Sequence, residues 1–485
     1  MLETTIPARL DRLPWSSWHW RVVLALGVSW LLDGLEVTVV GSLGPALQRP
    51  DTLGLTAGEI GWAASAYIGG AVLGALVFGR LADSLGRKRM FLVTLVVYLV
   101  ATVFTAFSFD IWSFALCRAL TGFGIGGEYA AINSAIDELI PARVRGTVDL
   151  AINGTFWVGA AMGAGLTIVL LNPDWIGPHY GWRFAFLLGG ILGFAILLVR
   201  RHVPESPRWL IRHGRAEEAE RIVDDIERQV GCRVPVSTSL AMRALPAPSW
   251  GEIVRLMTTR YRRRAALGLV LMASQALFYN AIFFTYALVL ARFYDVPEQT
   301  VGYYIFPFAL GNFFGPLVLG RLFDSVGRRK MIAATYTIAG LGLIGAGYGF
   351  SIGALSALEL SLLWSAIFFV ASAAASSAYL TVSEIFPVEM RAIAISLFYA
   401  AGTALGGFIG PPLYGAIIES GSREALFGAY ALAGALMCLA AAVALWLGVD
   451  AERKSLEDVC APLGVVSDDD PACAVSPARR RPSHA

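Results

Sequence analysis

The stretch from Gly79 to Met90 is GRLADSLGRKRM, and the stretch from Gly320 to Met331 is GRLFDSVGRRKM. Eight of the twelve positions are identical, and two more exchange Lys for Arg. Each copy lies between long apolar stretches, and the copies are about half the chain apart. Near-identical segments at matching places in two hydrophobic halves are typical of transporters that arose by duplication. The repeat therefore predicts two related halves.

The composition excludes a soluble globular domain. Of the 485 residues, 56% are hydrophobic and 15% are charged, and the mean hydropathy is +0.63; such values are typical of membrane proteins. The net charge of +2 gives no general indication of nucleic-acid binding. The five cysteines and five histidines show no metal-ligand or catalytic spacing. We therefore expect no metal, no cofactor, no catalytic residues and no nucleic-acid partner.

Apolar runs of about 18 residues or more predict membrane-spanning helices. The chain has twelve, so the predicted fold is an all-α integral membrane protein with two pseudo-symmetric six-helix bundles. The predicted spans are 20–43, 59–79, 90–108, 112–136, 148–171, 184–201, 265–291, 301–320, 332–350, 358–381, 392–418 and 424–448.

These spans divide the chain into five parts. The predicted parts are an N-terminus at 1–19, a first bundle at 20–202, a linker at 203–263, a second bundle at 264–449 and a largely disordered tail at 450–485. In the linker, RAEEAERIVDDIERQV from Arg215 to Val230 has an apolar stripe of Ile222, Val223 and Ile226, which predicts an amphipathic helix.

Loop charges predict the topology. The loops that join helices 2–3, 4–5, 6–7, 8–9 and 10–11, together with both termini, hold nearly all arginines and lysines outside the helices. By the positive-inside rule, both termini are cytoplasmic. A bias toward Arg and Ala, with only three lysines, is typical of a GC-rich bacterial genome. We expect a multi-pass monomer in the bacterial inner membrane, with the lipid bilayer as its partner.

A second repeat lies at the ends of helices 4 and 10. DELIPARVRG from Asp137 and SEIFPVEMRA from Ser383 each place Glu and Arg seven residues apart across a proline. With the first repeat they predict a charge network that closes the inner face; the alternative is a set of helix-end ion pairs with no gating role.

For the first repeat, we expect Arg87, Lys88, Arg328 and Arg329 at the lipid headgroups. We expect its two aspartates, Asp83 and Asp324, to accept hydrogen bonds from arginines and helix amides. The predicted gating residues are Asp83, Arg87, Glu138, Arg145, Asp324, Arg328, Glu384 and Arg391.

Charged residues inside apolar helices are costly and therefore indicate function. Helix 1 carries Asp33 and Glu36, and helix 4 carries Arg118 and Glu128. At about 1.5 Å per residue, Glu36 and Arg118 both lie roughly 10 Å from the outer ends of their helices. The two side chains are therefore predicted at one depth. A static structural pair is the alternative explanation.

These repeats, with PESPRWL at Pro204 to Leu210, resemble the major facilitator superfamily, most closely its sugar-porter and metabolite/proton-symporter branches. Two departures from the sugar-porter pattern are VDAERKSLEDV from Val449 and the Ser274–Gln275 pair in helix 7. The resemblance implies proton coupling by Glu36 and Arg118, with Asp33 and Glu128 as further proton sites; for Glu128 a structural role stays open. It also implies a substrate site, with helix–helix hydrogen bonding as the alternative, formed by Asn153, Gln275, Asn280, Asn312 and Tyr379.

The resulting hypothesis is a secondary transporter that moves a small polar solute with protons by alternating access. Sugars or polyols and small organic acids are both open as substrates: the amides favour sugars, and Arg118 with Glu128 favours acids. The alternatives are an uncoupled facilitator and a membrane sensor with a transporter fold. Sensors carry long cytoplasmic extensions, and the tail here is about 35 residues.

Overall fold

The computed structural model describes residues 2–172, 174–200, 204–232, 240–242, 249–283, 285–296 and 298–463. Within them the twelve predicted membrane helices are present, and the predicted fold class is confirmed. Membrane helices 1 to 6 are Ser17–Ser42, Ala57–Leu85, Arg87–Thr105, Ile111–Leu139, Arg145–Leu170 and Pro178–Arg200. Membrane helices 8, 9, 10 and 12 are Glu298–Ser325, Arg328–Ser351, Ala357–Glu384 and Arg423–Leu447. Helix 7 consists of two segments, Arg262–Phe283 and Tyr286–Tyr294. Helix 11 consists of three segments, Arg391–Thr403, Ala404–Ile409 and Gly410–Glu419.

By length and composition alone, nine helices in the described ranges could cross a membrane. Membrane helices 4, 6 and 11 fall outside that criterion. Helix 4 carries Arg118 and Glu128 in its apolar stretch, and helix 11 is interrupted by a π-helical turn at Ala404–Ile409. Such turns inside membrane helices are often found at functional sites.

The two halves end their helices in matching ways. Asp110 and Ser356 form capping boxes at the starts of membrane helices 4 and 10, which satisfy amides that have no partner inside the helix. At the last turns of helices 3 and 9, Arg183 donates to the Ala106 carbonyl at 2.6 Å and Arg423 donates to the Phe350 carbonyl at 2.9 Å. The duplication therefore extends beyond the repeated motifs.

The repeated motif lies mostly on a helix, not in a loop. Membrane helix 2 was predicted to end at residue 79, but it continues to Leu85, and helix 3 begins at Arg87. Gly86 forms the turn at φ 104°, and Gly327 forms its counterpart at φ 116°; side chains disfavour both conformations. A Cβ at Gly79 would lie 1.9 Å from Ser396 Oγ, so this glycine allows helices 2 and 11 to approach closely.

The linker and tail pack under the bundle. The predicted amphipathic helix is present at Ala216–Val230, with Val223 and Ile226 buried. Shorter helices lie at Ile6–Arg12, Pro207–Arg212 and Trp250–Thr258. Strand Leu2–Thr4 pairs antiparallel with Leu240–Met242.

The predicted tail at 450–485 begins with an ordered segment, which precedes the polar stretch after about residue 461 on which the expectation of disorder rests. Leu456–Val459 is helical, and Leu456, Val459 and Cys460 are buried. The two apolar side chains three residues apart share a helix face that packs against the bundle. The predicted disorder at 464–485 concerns residues outside the described ranges.

Candidate functional site

The face that carries the repeated motifs is called the inner face; its cytoplasmic location is a prediction. There, Arg87 Nη2 pairs with Asp83 Oδ1 at 2.9 Å and with Glu138 Oε1 at 3.1 Å. Arg391, from the second half, lies 3.7 Å from the same Glu138 oxygen. Asp83 Oδ2 accepts from the backbone N–H of Ile393 at 3.1 Å. These contacts join helices 2, 3 and 4 to the start of helix 11.

The counterpart set joins helices 8, 9 and 10 to the start of helix 5. Arg328 donates to Asp324 at 2.8 Å and makes a bidentate contact with Glu384 at 3.0 Å for each bond. Arg145, from the first half, lies 3.8 Å from Glu384. Asp324 also accepts from the Gly146 N–H at 3.1 Å. We call the two groups the inner ion-pair sets, and all eight predicted gating residues belong to them.

Two expectations have opposite outcomes. Asp83 and Asp324 accept from helix N-terminal amides, as predicted; Asp324 also accepts from Arg328, whereas Asp83 forms an ion pair with Arg87. The predicted headgroup location is wrong for Arg87 and Arg328, whose side chains are 3% and 2% exposed. Their buried carboxylate partners balance the charge that lipid phosphates were expected to balance.

Segments outside the membrane helices brace both sets. Glu205 accepts from the Arg87 N–H at 3.0 Å, and Glu452 accepts from the Arg328 N–H at 3.3 Å. Burial raises the pKa of the Glu205 carboxyl. Asp11 of the N-terminal helix pairs with Arg145 at 3.1 Å. The terminal segments and the linker are therefore part of the closed inner face.

The predicted coupling residues Glu36 and Arg118 are in direct contact. Arg118 Nη1 donates to Glu36 Oε1, and both side chains are 2% exposed. The guanidinium also lies over the Tyr67 ring on helix 2, 4.7 Å from its centroid. The prediction that the two residues share one depth is confirmed. Desolvation offsets much of the attraction in a buried pair, so stability alone is a weak explanation for it.

The other two predicted coupling acids lie close by. Asp33 and Glu128 are each 1% exposed. On helix 3, the Tyr98 hydroxyl is close enough to Glu36, Asp33 and Glu128 to feel their charges. The Tyr67 hydroxyl is similarly close to Asp33. The structure therefore gathers the four charged residues around two tyrosines.

A cluster of aromatic side chains from both halves lies beside the coupling residues. Trp30 and Tyr129 meet edge to face at 4.4 Å between ring centroids, and Tyr129 stacks on Tyr399 at 4.5 Å. Tyr379 lies 6.1 Å from Tyr129. We call these four residues the central aromatic cluster. Tyr67, under the Arg118 guanidinium, is an aromatic residue in contact with the coupling pair.

The predicted substrate residues are only partly brought together. Tyr379 belongs to the central aromatic cluster, and Gln275 is 8% exposed on helix 7. Asn312 accepts from the Tyr279 hydroxyl at 2.9 Å, and Asn153 donates to the Asp149 carbonyl at 2.8 Å. Hydrogen bonding between helices, the alternative to a substrate site, therefore describes Asn312 in this conformation, whereas Asn153 bonds within its own helix. The Asn280 side chain lies outside the described part of the chain.

Several residues at these sites were not singled out from the sequence. Trp30, Tyr129 and Tyr399 give no distinct signal, because aromatic residues in membrane helices mostly serve packing. Asp149 is buried and carried the signal that identified Glu36, an acid inside a predicted apolar span. Asp137 is also buried but lies just past the predicted span 112–136. Glu205 lies in the quoted PESPRWL motif.

Comparison with known proteins identifies the family. The model of the family described as "Sugar (and other) transporter" matches residues 42–461. The chain is 27% identical to the niacin transporter NiaP of Acinetobacter baylyi over 93% of this chain and 99% of the relative. It is 28% identical to a gallate transporter of Pseudomonas putida over 93% and 97%.

A solved structure has the same fold. It is the major facilitator superfamily proton:xylose symporter XylE bound to 6-bromo-6-deoxy-D-glucose, with a TM-score of 0.75 and 18% identity, over 91% of this chain and 98% of that one. The expectation that the protein is a transporter and not an enzyme is confirmed. The chain belongs to the sugar (and other) transporter family of the major facilitator superfamily and is a multi-pass membrane transporter.

Proposed function

We propose that the protein moves a small planar carboxylate together with a proton, by alternating access between the two halves. The observation that carries this proposal is the buried contact between Glu36 and Arg118. Tyr67 lies under the Arg118 guanidinium, and the central aromatic cluster, farther along helix 4, adds flat apolar surfaces from both halves.

The coupling step follows from charge balance. When Glu36 accepts a proton, Arg118 loses its anionic partner while it stays buried. An unpaired buried cation is strongly unfavourable, so a substrate carboxylate that enters the site is favoured as the new partner of Arg118. One proton and one monocarboxylate then move together without net charge.

The aromatic cluster favours a planar substrate. Tyrosine and tryptophan faces stack on flat rings, and each pair contributes about 0.5–1.5 kcal/mol beyond the buried area. The printed names of two relatives specify niacin and gallate, both of which are aromatic carboxylates. The ring would stack on these aromatic faces, and Tyr67 is the one that contacts the Arg118 guanidinium, the proposed partner of the carboxylate.

The inner ion-pair sets supply the gate. Both sets bridge the two halves on one face, so the halves cannot separate there until these contacts break. A loaded site with a neutral charge balance no longer contains the Glu36–Arg118 bond between helices 1 and 4. Loss of that bond would allow the halves to rock, which breaks the inner sets and opens the inner face.

Proteoliposomes with an imposed pH gradient, alkaline inside, test the proposal. We expect labelled niacin or gallate to accumulate against its gradient and a protonophore to abolish accumulation. A potassium diffusion potential alone should have no effect, because an electroneutral step carries no charge. Accumulation of xylose with none of either carboxylate would move the substrate to the sugar class.

Two other results would each contradict proton coupling. Equilibration of the carboxylate without accumulation would indicate an uncoupled facilitator. Binding of the carboxylate without any flux would indicate a sensor. Uptake by empty liposomes sets the background.

A further inference from the structure

A second pair of buried acids lies at the inner face, next to the inner ion-pair sets. Asp137 directly precedes Glu138 near the end of membrane helix 4, and Asp149 lies one turn into membrane helix 5. Both side chains are 0% exposed. They are close enough that a negative charge on one disfavours a negative charge on the other. The proposed coupling step uses neither of them.

The Asp149 carboxylate is weakly held. Its Oδ2 accepts from Asn153 Nδ2 at 3.3 Å, and its Oδ1 has no hydrogen-bond partner among the described residues. Two of the nearby cations already contact other carboxylates. Arg328 contacts Asp324 and Glu384, and Arg145 contacts Asp11.

Charged groups from several elements face this acid pair. They are Arg145 on helix 5, Asp324 on helix 8, Arg328 on helix 9, Glu384 on helix 10 and Arg391 on helix 11. Helix 1 packs on the other face of helix 5, where Thr155 donates to the Gly27 carbonyl at 2.7 Å. The acid pair therefore faces the interface between the two halves.

With Asp137 and Asp149 ionised, the inner ion-pair sets and this acid pair would together include more carboxylates than arginines. The inner ion-pair sets contain four carboxylates and four arginines and are neutral as a group. Asp137 and Asp149 add two carboxyl groups to the same buried region. Two further negative charges there would be costly, because burial disfavours an ionised carboxylate that lacks a cation. A bound proton removes this cost as long as the gate is closed.

We infer that Asp149, with Asp137 beside it, forms a proton-binding site of the inner gate, separate from the Glu36 coupling site. The proton comes from the solution at the inner face, binds a carboxylate oxygen and leaves a neutral acid. When the gate opens, water reaches the carboxyl group, which releases the proton to the same compartment. No proton crosses the membrane by this route. The site makes the closed state of the gate sensitive to the pH on the inner side, whatever solute is carried.

Distance measurements on the gate, without substrate, test the inference. Arg89 and Lys330 occupy matching exposed positions at the inner ends of helices 3 and 9, and a spin label at each would report separation of the halves. Because the closed state binds the proton more tightly, raising the pH should favour the open state. For one titrating group, the open-to-closed ratio rises by up to about tenfold per pH unit.

The variants are made in a Glu36→Gln background, which removes titration of the coupling site. This background should keep the pH response, and adding Asp149→Asn should abolish it with the gate largely closed. Adding Asp51→Asn, at an exposed acid of the outer loop, should change nothing. A full pH response in the Asp149→Asn variant would overturn the inference. Failure of carboxylate uptake in proteoliposomes would leave this result unaffected, so the two proposals fail separately.

Two further variants keep the test decisive if Asp149→Asn does not fold. Asp149→Glu retains a carboxyl group and should retain a pH response with a shifted midpoint. Asn153→Leu removes the hydrogen bond to the Asp149 carboxylate and should move the midpoint to higher pH, since the ionised form loses its donor. An unchanged midpoint in both variants would contradict a role for Asp149.

Discussion

Thr147 and Asp324 lie in opposite halves of the chain, yet Asp324 Oδ2 accepts two hydrogen bonds from Thr147. The backbone N–H donates at 2.7 Å and the side-chain hydroxyl donates at 2.6 Å. An aspartate of the repeated motif in one half therefore caps the first helical turn of membrane helix 5 in the other. Asp83 does the same for helix 11 through Ile393. The halves are joined by these bonds between motif and helix terminus as well as by the buried contacts of Arg145 and Arg391 with carboxylates of the other half.

Replacing Asp324 should therefore open the inner face. Asp324→Asn removes the charge that Arg328 and the amides of helix 5 contact. A hydrogen bond to a charged group contributes about 1.5–3 kcal/mol, so the closed-to-open ratio should fall by about 10- to 150-fold. Labels at residues 89 and 330 would measure the change. Binding of carboxylate should persist, because Asp324 lies away from Glu36 and Arg118.

Asp51→Asn is the matched control for that prediction. Asp51 pairs with Arg49 at an exposed position in the loop between helices 1 and 2, and exposed pairs contribute little. If Asp324→Asn leaves the distance distribution of the wild type unchanged, or abolishes carboxylate binding to the same extent as transport, the gating role is wrong.

Topology gives a prediction of its own. Glu217 on the linker helix and Asp174 in the loop between helices 5 and 6 are both exposed. In a background without native cysteines, Glu217→Cys should react with an impermeant thiol reagent only from the cytoplasmic side, and Asp174→Cys only from outside. Labelling of both from one side would contradict the predicted orientation.

The central aromatic cluster predicts a difference between two substitutions at one position. Tyr399→Phe keeps the ring that stacks on Tyr129 at 4.5 Å, whereas Tyr399→Leu removes it. Titration calorimetry with niacin should show little change for Phe and weaker binding for Leu, by about 0.5–1.5 kcal/mol. Equal affinities in both variants would place the ring of the substrate elsewhere.

Acid should release the tail segment from the bundle. Burial raises the pKa of the Glu457 carboxyl, but the Arg208 guanidinium, 2.9 Å away, lowers it further, so the net pKa lies below its ordinary value of 4.5. A depressed folded pKa means that the contact contributes its full stability above about pH 4.5 and loses it as the pH falls below that value. The protection factors for amide hydrogen exchange at Leu456–Val459, corrected for the intrinsic exchange rate at each pH, should therefore fall in acid, so that exchange is faster than for a fully held segment.

Glu457→Gln should give the fast exchange already at neutral pH. Asp458→Asn, at the exposed neighbouring position, should behave like the wild type. Slow exchange in Glu457→Gln at neutral pH would show that the pair with Arg208 does not hold the segment.

The sequence predicts the fold because its signals are long and repeated. Twelve apolar runs and two duplicated motifs are enough to place the helices, and helix depth alone brings Glu36 and Arg118 together. Residue spacing along the sequence could not predict the partners of Glu138 and Glu384 in the opposite halves. Glu138 meets Arg391, and Glu384 meets Arg145, because the two halves pack against each other, and residue spacing describes only one helix at a time.

Local patterns also fail where tertiary packing selects among residues of one type. The chain has 16 tyrosines, and only packing shows that Tyr129 and Tyr399 stack across the two halves. Likewise, Leu456 and Val459 lie only a few residues before the polar stretch that predicts disorder, and only the structure shows that they are buried against the bundle.

The most direct test of the coupling mechanism is Glu36→Gln, which mimics the protonated acid permanently. With Arg118 no longer paired to an anion, the variant should bind niacin with an affinity that does not depend on pH. In proteoliposomes it should exchange labelled for unlabelled carboxylate but should not accumulate it under a pH gradient. Glu217→Gln, at an exposed position of the linker helix, should accumulate it like the wild type. Uphill accumulation by Glu36→Gln, driven by the pH gradient alone, would contradict the assignment of Glu36 as the coupling acid.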